Sequence, residues 1–146
     1  MRIFETTHGQ VLPKEYYKSD FSLPIGNIPL TALGKEQAKL LAKRLKDFNF
    51  QGVIFSSPYD RAMQTASIVT KELGAKLIPL VSLREIVTRV DEFYHGERAE
   101  TLAKNYPLAY FDEDFPNIWW GEAKEDLATV IERLKRELKA VIASLP

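Results

Sequence analysis

Short apolar runs alternate with stretches of helical periodicity along the first half of this chain, and the alternation sets the expected fold. Ile3 and Phe4, within Arg2-Ile3-Phe4-Glu5-Thr6-Thr7, predict an N-terminal strand that delivers His8, Gly9 and Gln10 into a turn. Ala38, Leu41, Ala42, Leu45 and Phe48 then recur at helical spacing, with Lys39, Lys43 and Lys46 off that stripe. This predicts an amphipathic helix capped by Thr31 and ending near Asn49. Val53-Ile54-Phe55-Ser56 suits a buried parallel strand. The next helix start carries three signals: Ser57 as a cap, Pro58 at the first helical position and Asp60 at the positive end of the dipole. Its apolar face is Ala62, Ala66, Val69 and Leu73, and Gly74 supplies the stop. Lys76-Leu77-Ile78-Pro79-Leu80 reads as a third strand, with Pro79 at a sheet edge or at the strand's end. Such alternation favours βαβ units and a largely parallel sheet.

Three stretches fall outside that rhythm. Residues 11–29 form a long connection with Pro13, Pro24, Gly26 and Pro29, and its Tyr16, Tyr17 and Phe21 argue against a purely solvated linker. From 82 to 121 the pattern loosens into a lid or insert, with a helix near 98–104 and an aromatic, acidic loop through Phe115, Pro116, Trp119 and Trp120. The last segment is the most periodic: Leu127, Ile131, Leu134, Leu138, Val141, Ile142 and Leu145 share one helical face. Trp119 and Trp120, with Tyr110 and Phe111, could line a pocket, but packing of the lid against the sheet is the simpler expectation.

At 146 residues the chain is expected to form a single domain, 1–146. Lys+Arg and Asp+Glu are 20 each, so the basic excess of a general nucleic-acid or anionic-membrane binder is missing. The absence of cysteine excludes disulfides, thiolate catalysis and Cys-based zinc sites, and with two histidines a His-rich metal site is not expected. No apolar run reaches membrane-spanning length, and the N-terminus lacks a signal-peptide core. The expectation is a soluble, cytoplasmic protein with neither nucleic-acid nor membrane partners.

The candidate chemistry begins with His8 and Arg61. A parallel sheet brings the ends of neighbouring strands to one edge, where open α/β sheets bind ligands. An imidazole, a guanidinium and a helix N-terminus there make a site for a phosphate dianion. The plainer alternatives are a turn histidine and a solvated first-turn arginine. A cation sits poorly at a helix N-terminus, and that misfit favours an anionic partner for Arg61.

Longer segments carry a family resemblance. Pro29-Leu30-Thr31-Ala32-Leu33-Gly34-Lys35-Glu36-Gln37-Ala38 resembles the Pro-Leu-Thr-x-x-Gly-x-x-Gln-Ala segment of the histidine phosphatase superfamily, the phosphoglycerate mutase-like proteins. Ser56-Ser57-Pro58-Tyr59-Asp60-Arg61-Ala62-Met63-Gln64-Thr65-Ala66 is similar to that family's Ser-Ser-Pro-x-x-Arg-Ala-x-Gln-Thr-Ala, Leu83-Arg84-Glu85 to its Leu-x-Glu, and Gly121-Glu122 to its Gly-Glu. The resemblance implies a three-layer α/β/α sandwich with a largely parallel sheet. It also implies His8 as the phosphoryl-accepting nucleophile, Arg61 neutralising phosphate oxygens, and Glu85 as general acid and base. Thr7, Gly9 and Gln10 would contact phosphate or substrate, a small phosphorylated metabolite, with no metal and no cofactor required.

Two departures stand against that pattern. Thr7 occupies the position of the arginine in the family's Arg-His-Gly, and Arg2 and Arg84 are candidate substitutes. The family's Ser-His-Gly strand, which by resemblance lies between the strands bearing His8 and Arg61, has no counterpart after the last helix, so a C-terminally incomplete fold is expected. Direct pairing of the flanking strands, or exchange in a homodimer, would satisfy their backbone groups. His95 is expected to be a surface or lid residue. The functional expectation is a phosphomonoester hydrolase or phosphoglycerate mutase-like enzyme acting through phospho-His8. The alternative is a catalytically impaired relative that binds phosphate esters or a protein partner. A Rossmann-type nucleotide binder lacks its Gly-x-Gly-x-x-Gly or Gly-Lys-Ser/Thr turn here.

Overall fold

The fold was obtained as a computed structural model that describes residues 2–13, 27–86, 95–120 and 125–144. Most of the 11–29 connection, the centre of the 82–121 segment and Gly121-Glu122 lie outside the described residues.

Thr31 starts helix α1 (Ala32–Asp47) as expected, its hydroxyl accepting the Gly34 N–H at 3.0 Å. Arg44 and Lys46 occupy the last turn, where cations suit the dipole. Asn49 then takes a left-handed φ of 51°, and the Phe50 N–H returns to Leu45 O at 3.1 Å. Strand β1 (Val53–Ser56), helix α2 (Asp60–Leu73) and strand β2 (Lys76–Pro79) form one βαβ unit, with the strands parallel from Val53↔Lys76 to Ser56↔Pro79. Gly74 at φ 64° closes α2, a conformation that costs glycine nothing. Pro79 is the last residue of β2, where its lack of an N–H matters least.

The start of α2 lies later than its sequence signals indicate. The helix begins at Asp60, and Tyr59 holds the cap position without a side-chain cap bond. Ser57 Oγ reaches only the Tyr59 N–H, at 3.5 Å. Burial explains the shift: the Tyr59 ring is 1% exposed and meets Trp119 edge-on at 4.8 Å between centroids. Packing an aromatic ring outweighs one cap bond of about 1 kcal/mol.

The N-terminal strand is a second correction. Residues 2–8 form no strand and are exposed, Ile3 to 64%. Among the described residues the sheet has two strands, β1 and β2, and strand conformation needs a hydrogen-bonded neighbour along its length. Phe4 instead packs beside Phe48 and Phe50, at 5.5 and 6.1 Å between centroids, and Val11 makes one antiparallel bridge to Leu30.

The main core gathers Tyr59, Met63, Leu77, Leu102, Tyr106 and Trp119, and a smaller cluster of Ala42, Leu45 and Val69 joins α1 to α2. The 82–121 segment is therefore built into the core through helix α3 (Ala99–Asn105) and Trp119. Trp119 Nε1 donates to Glu97 O at 2.7 Å, and a Cβ on Gly96 would overlap the Trp119 ring. Helix α4 (Leu127–Ser144) packs on the 3-10 turn Val81–Leu83. It buries Val130 and Arg133, the latter bonded to Ser82 O in that turn, while Leu127, Ile131, Leu134, Leu138 and Ile142 on its periodic face stay exposed. No helix among the described residues is long and apolar enough to cross a membrane.

Candidate active site

The loop carrying His8 is seated on two helices. Gly9 is buried against Gly34 in the first turn of α1; a Cβ on Gly9 would overlap the Gly34 carbonyl, and one on Gly34 would overlap that of Gln10. The close approach expected of Gly9 is thus to protein backbone. Gly9 N–H donates to Thr65 Oγ1 at 3.0 Å, and that hydroxyl donates to Arg61 O at 2.8 Å. The turn after His8 is in this way tied to the helix that carries Arg61, one turn beyond it.

His8 itself is exposed, with Nδ1 2.8 Å from Gly9 O. A carbonyl only accepts, so Nδ1 carries a proton, and in the neutral ring Nε2 holds the lone pair. In that tautomer a histidine attacks through Nε2.

Arg61 is buried at the start of α2 and forms an ion pair with Glu85, two residues past the 3-10 turn. Its guanidinium also lies 4.9 Å from the centre of the Tyr59 ring. Glu85 is half exposed, so its carboxylate is open to solvent and to a ligand. Beside Arg61, Asp60 accepts hydrogen bonds from Tyr106 Oη and, at 2.7 Å, from Gln64 Nε2. Gln64 Oε1 accepts the Leu30 N–H at 3.1 Å. Burial first, then the bond to Asp60, pushes the Tyr106 hydroxyl well above its usual value. The first turn of α2 is held from α3 and from the start of the α1 segment at once.

A cavity of about 230 Å³ opens next to His8, lined by Thr6, Thr7, Gln37, Leu41 and Thr65 among others. Arg61 and Glu85 lie outside its lining. The site therefore has two built halves, the His8 loop with its cavity and the Arg61–Glu85 pair, joined through Gly9, Thr65 and the Arg61 carbonyl.

The remaining sequence candidates are placed as follows. Thr7 is exposed and lines the cavity, where it brings no charge. Gln10 holds the start of α1: its N–H donates to Gln37 Oε1 at 2.7 Å and its Oε1 accepts from Thr31 Oγ1 at 2.8 Å. Arg2 reaches Phe48 O at 3.5 Å, and Arg84 pairs with Glu125 at 2.6 Å. Both candidate substitutes for the arginine missing at Thr7 are thus engaged elsewhere. His95 is exposed and packs on Trp120 at 5.6 Å between centroids. Two residues that the sequence reading gave no role, Thr65 and Gln37, prove structural to the His8 loop. The one local sign was a threonine inside a helix, where a hydroxyl either bonds back to the preceding turn or serves another segment. Among the described residues no group of three or more His, Asp or Glu could hold a metal ion.

A βαβ frame whose helix α2 carries Arg61 of the Arg61–Glu85 pair and is bonded to the loop after His8 agrees with a family match. Residues 8–146 match the histidine phosphatase superfamily (branch 1), and the chain belongs to that family. Its relatives include the uncharacterized phosphatase PhoE of Bacillus subtilis (strain 168), 31% identical over 120 residues, or 82% of this chain and 55% of PhoE. Among solved structures, the ecdysone phosphate phosphatase of Bombix mori, in complex with tungstate, is similar with a TM-score of 0.66 at 19% identity. That match covers 82% of this chain and 48% of the other. The mycobacterial glucosyl-3-phosphoglycerate phosphatase with inorganic phosphate gives a TM-score of 0.57 at 21% identity, over 95% of this chain and 61% of the other. The two structures share the fold; the chain spans about half the length of PhoE and of the ecdysone phosphate phosphatase.

Proposed function

We propose that this chain carries the phosphoryl-accepting half of a phosphomonoesterase acting on a small phosphorylated metabolite. His8 Nε2 attacks phosphorus, the P–O bond to the leaving alcohol breaks, and the phosphoryl group rests on the imidazole until water removes it. Arg61 neutralises the phosphate oxygens during transfer. Before substrate arrives its guanidinium is held by Glu85. An incoming phosphate monoester competes for the same guanidinium and frees the carboxylate, which takes up a proton from solvent, passes it to the departing alcohol and, again ionised, takes one from the attacking water. A second phosphorylated or hydroxylic substrate in place of water would make the reaction a mutase.

The observation that carries this reading is the His8 Nδ1–Gly9 O bond, which in the neutral ring leaves Nε2 as the nucleophilic nitrogen. Membership of a family whose relatives include phosphatases supports it. The test is incubation with a labelled aryl phosphate followed by quantification of acid-labile, base-stable label on the protein. Label on the wild-type chain and none on His8→Ala is the expected result; equal label on both removes His8 as nucleophile.

The second reading, a phosphate-ester binder without turnover, is favoured by Thr7. It offers the cavity a hydroxyl where a charge-assisted bond contributes about 1.5–3 kcal/mol. Thr7→Arg should therefore tighten orthophosphate or tungstate binding by about ten- to a hundredfold in calorimetric titration. Unchanged affinity would show that Thr7 faces no bound oxyanion.

A further inference from the structure

Glu85 lies two residues past a short 3-10 turn, and a turn of that length does not fix a carboxylate by itself. The chain before it is gripped from α4. Arg133 donates through one terminal nitrogen to Ser82 O and, at 3.3 Å, to Arg84 O, the carbonyls on either side of Leu83. Its other terminal nitrogen meets Glu125 at 3.2 Å, and the second oxygen of Glu125 holds Arg84 at 2.6 Å. The side chains of Arg84, Glu125 and Arg133 are 16, 8 and 9% exposed. Such buried ionic groups seldom stabilise a fold more than apolar packing would. What the group adds here is direction, because a guanidinium bonded to two carbonyls and a carboxylate admits one orientation of the backbone that enters Glu85.

We infer that Arg133 and Glu125 are positioning residues that set Glu85 opposite Arg61. They bond to each other and to Arg84, and neither bonds to His8, Arg61 or Glu85. They act through the backbone of residues 82–84, so α4 is part of the catalytic apparatus. The inference rests on the proposed role of Glu85, and two measurements keep the two separable.

The first is steady-state hydrolysis of p-nitrophenyl phosphate by the full chain. Arg133→Met should lower kcat on the order of tenfold to a hundredfold, with KM changed by no more than about twofold. Arg133→Lys, which still donates to a carbonyl, should recover part of the loss. The second is amide hydrogen exchange, which needs no turnover. The Leu83 and Arg84 N–H groups bond to Leu80 O and Val81 O at 3.1 and 3.0 Å. In Arg133→Met they should exchange about tenfold faster or more, with the amides of α2 unchanged. Where Arg133→Met opens the whole domain, Glu125→Gln replaces it with the same expectation. No hydrolysis by the wild type counts against the enzyme reading alone, and exchange still decides the positioning role. Unaltered exchange at 83–84, equal acceleration throughout α2 in both variants, or an unaltered kcat in an active protein would each overturn the inference.

Discussion

Gly9 and Gly34 stand where the His8 loop and the first turn of α1 touch backbone to backbone, so neither position has room for a methyl group. Gly9→Ala and Gly34→Ala should each destabilise the fold by about 1–3 kcal/mol or more in urea unfolding, since the obstacle is backbone rather than a side chain that can swing away. Tyr106 is the other single residue with a large expected effect. Removing its hydroxyl leaves Asp60 short of a donor, so Tyr106→Phe should cost about 1.5–3 kcal/mol. The raised Tyr106 value also sets a pH dependence. The unfolded chain releases this proton near the ordinary 10.0 while the folded chain keeps it, so stability is level below that pH and falls above it. Urea midpoints between pH 9 and 11 should fall less steeply in Tyr106→Phe than in the wild type. At this scale the sequence was legible where a residue acts on its neighbours: Thr31 caps and Gly74 stops, each within four residues. Thr65, Gln37 and Arg133 meet partners 56, 27 and 51 residues away. No local pattern marks such contacts.

Among the elements, the three long helices and strands β1 and β2 follow from hydrophobic period, because repetition over several turns outweighs any single misleading residue. The start of α2 did not follow, because burial of Tyr59 set it. Helix α4 was legible as a helix but not as a packing surface. Leu127, Ile131, Leu134, Leu138 and Ile142 of its apolar stripe are exposed, and Val130 and Arg133, off that stripe, are the buried residues. Val130→Ala should therefore cost about 2 kcal/mol, whereas Leu138→Ala, at 51% exposure, should stay within about 0.5 kcal/mol. The same helix has an acid-sensitive start. Asp126 accepts the Thr129 N–H at 2.7 Å, and that bond lowers the carboxylate below its ordinary 3.8. Its stabilisation is complete above that value and is lost as the pH falls through the lowered folded-state value. Asp126→Ala should reduce the thermal midpoint at pH 7, and the gap from wild type should close as the carboxylate becomes protonated in both states.

Across the molecule, the α/β class and the parallel sheet were readable from alternation, and the family from two long segments. The N-terminal strand was not, since a strand depends on a partner that its own sequence does not specify. Ile3 and Phe4 stay partly in solvent, as do Leu127, Ile131, Leu134, Leu138 and Ile142 of α4. A molecule with that much open apolar surface should bind the dye ANS in its folded state, and Ile131→Lys with Leu138→Lys should reduce the signal. Two assemblies on a shared helix, the His8 loop and the Arg61–Glu85 pair, carry the functional reading. The most direct measurement is the 31P spectrum of the chain after reaction with a phosphodonor. A phosphohistidine resonance assigned to Nε2, missing from His8→Ala and weakened in Arg61→Met, is the expected result. A phosphorylated Nδ1, or a wild-type chain that takes up no phosphoryl group, would contradict the account.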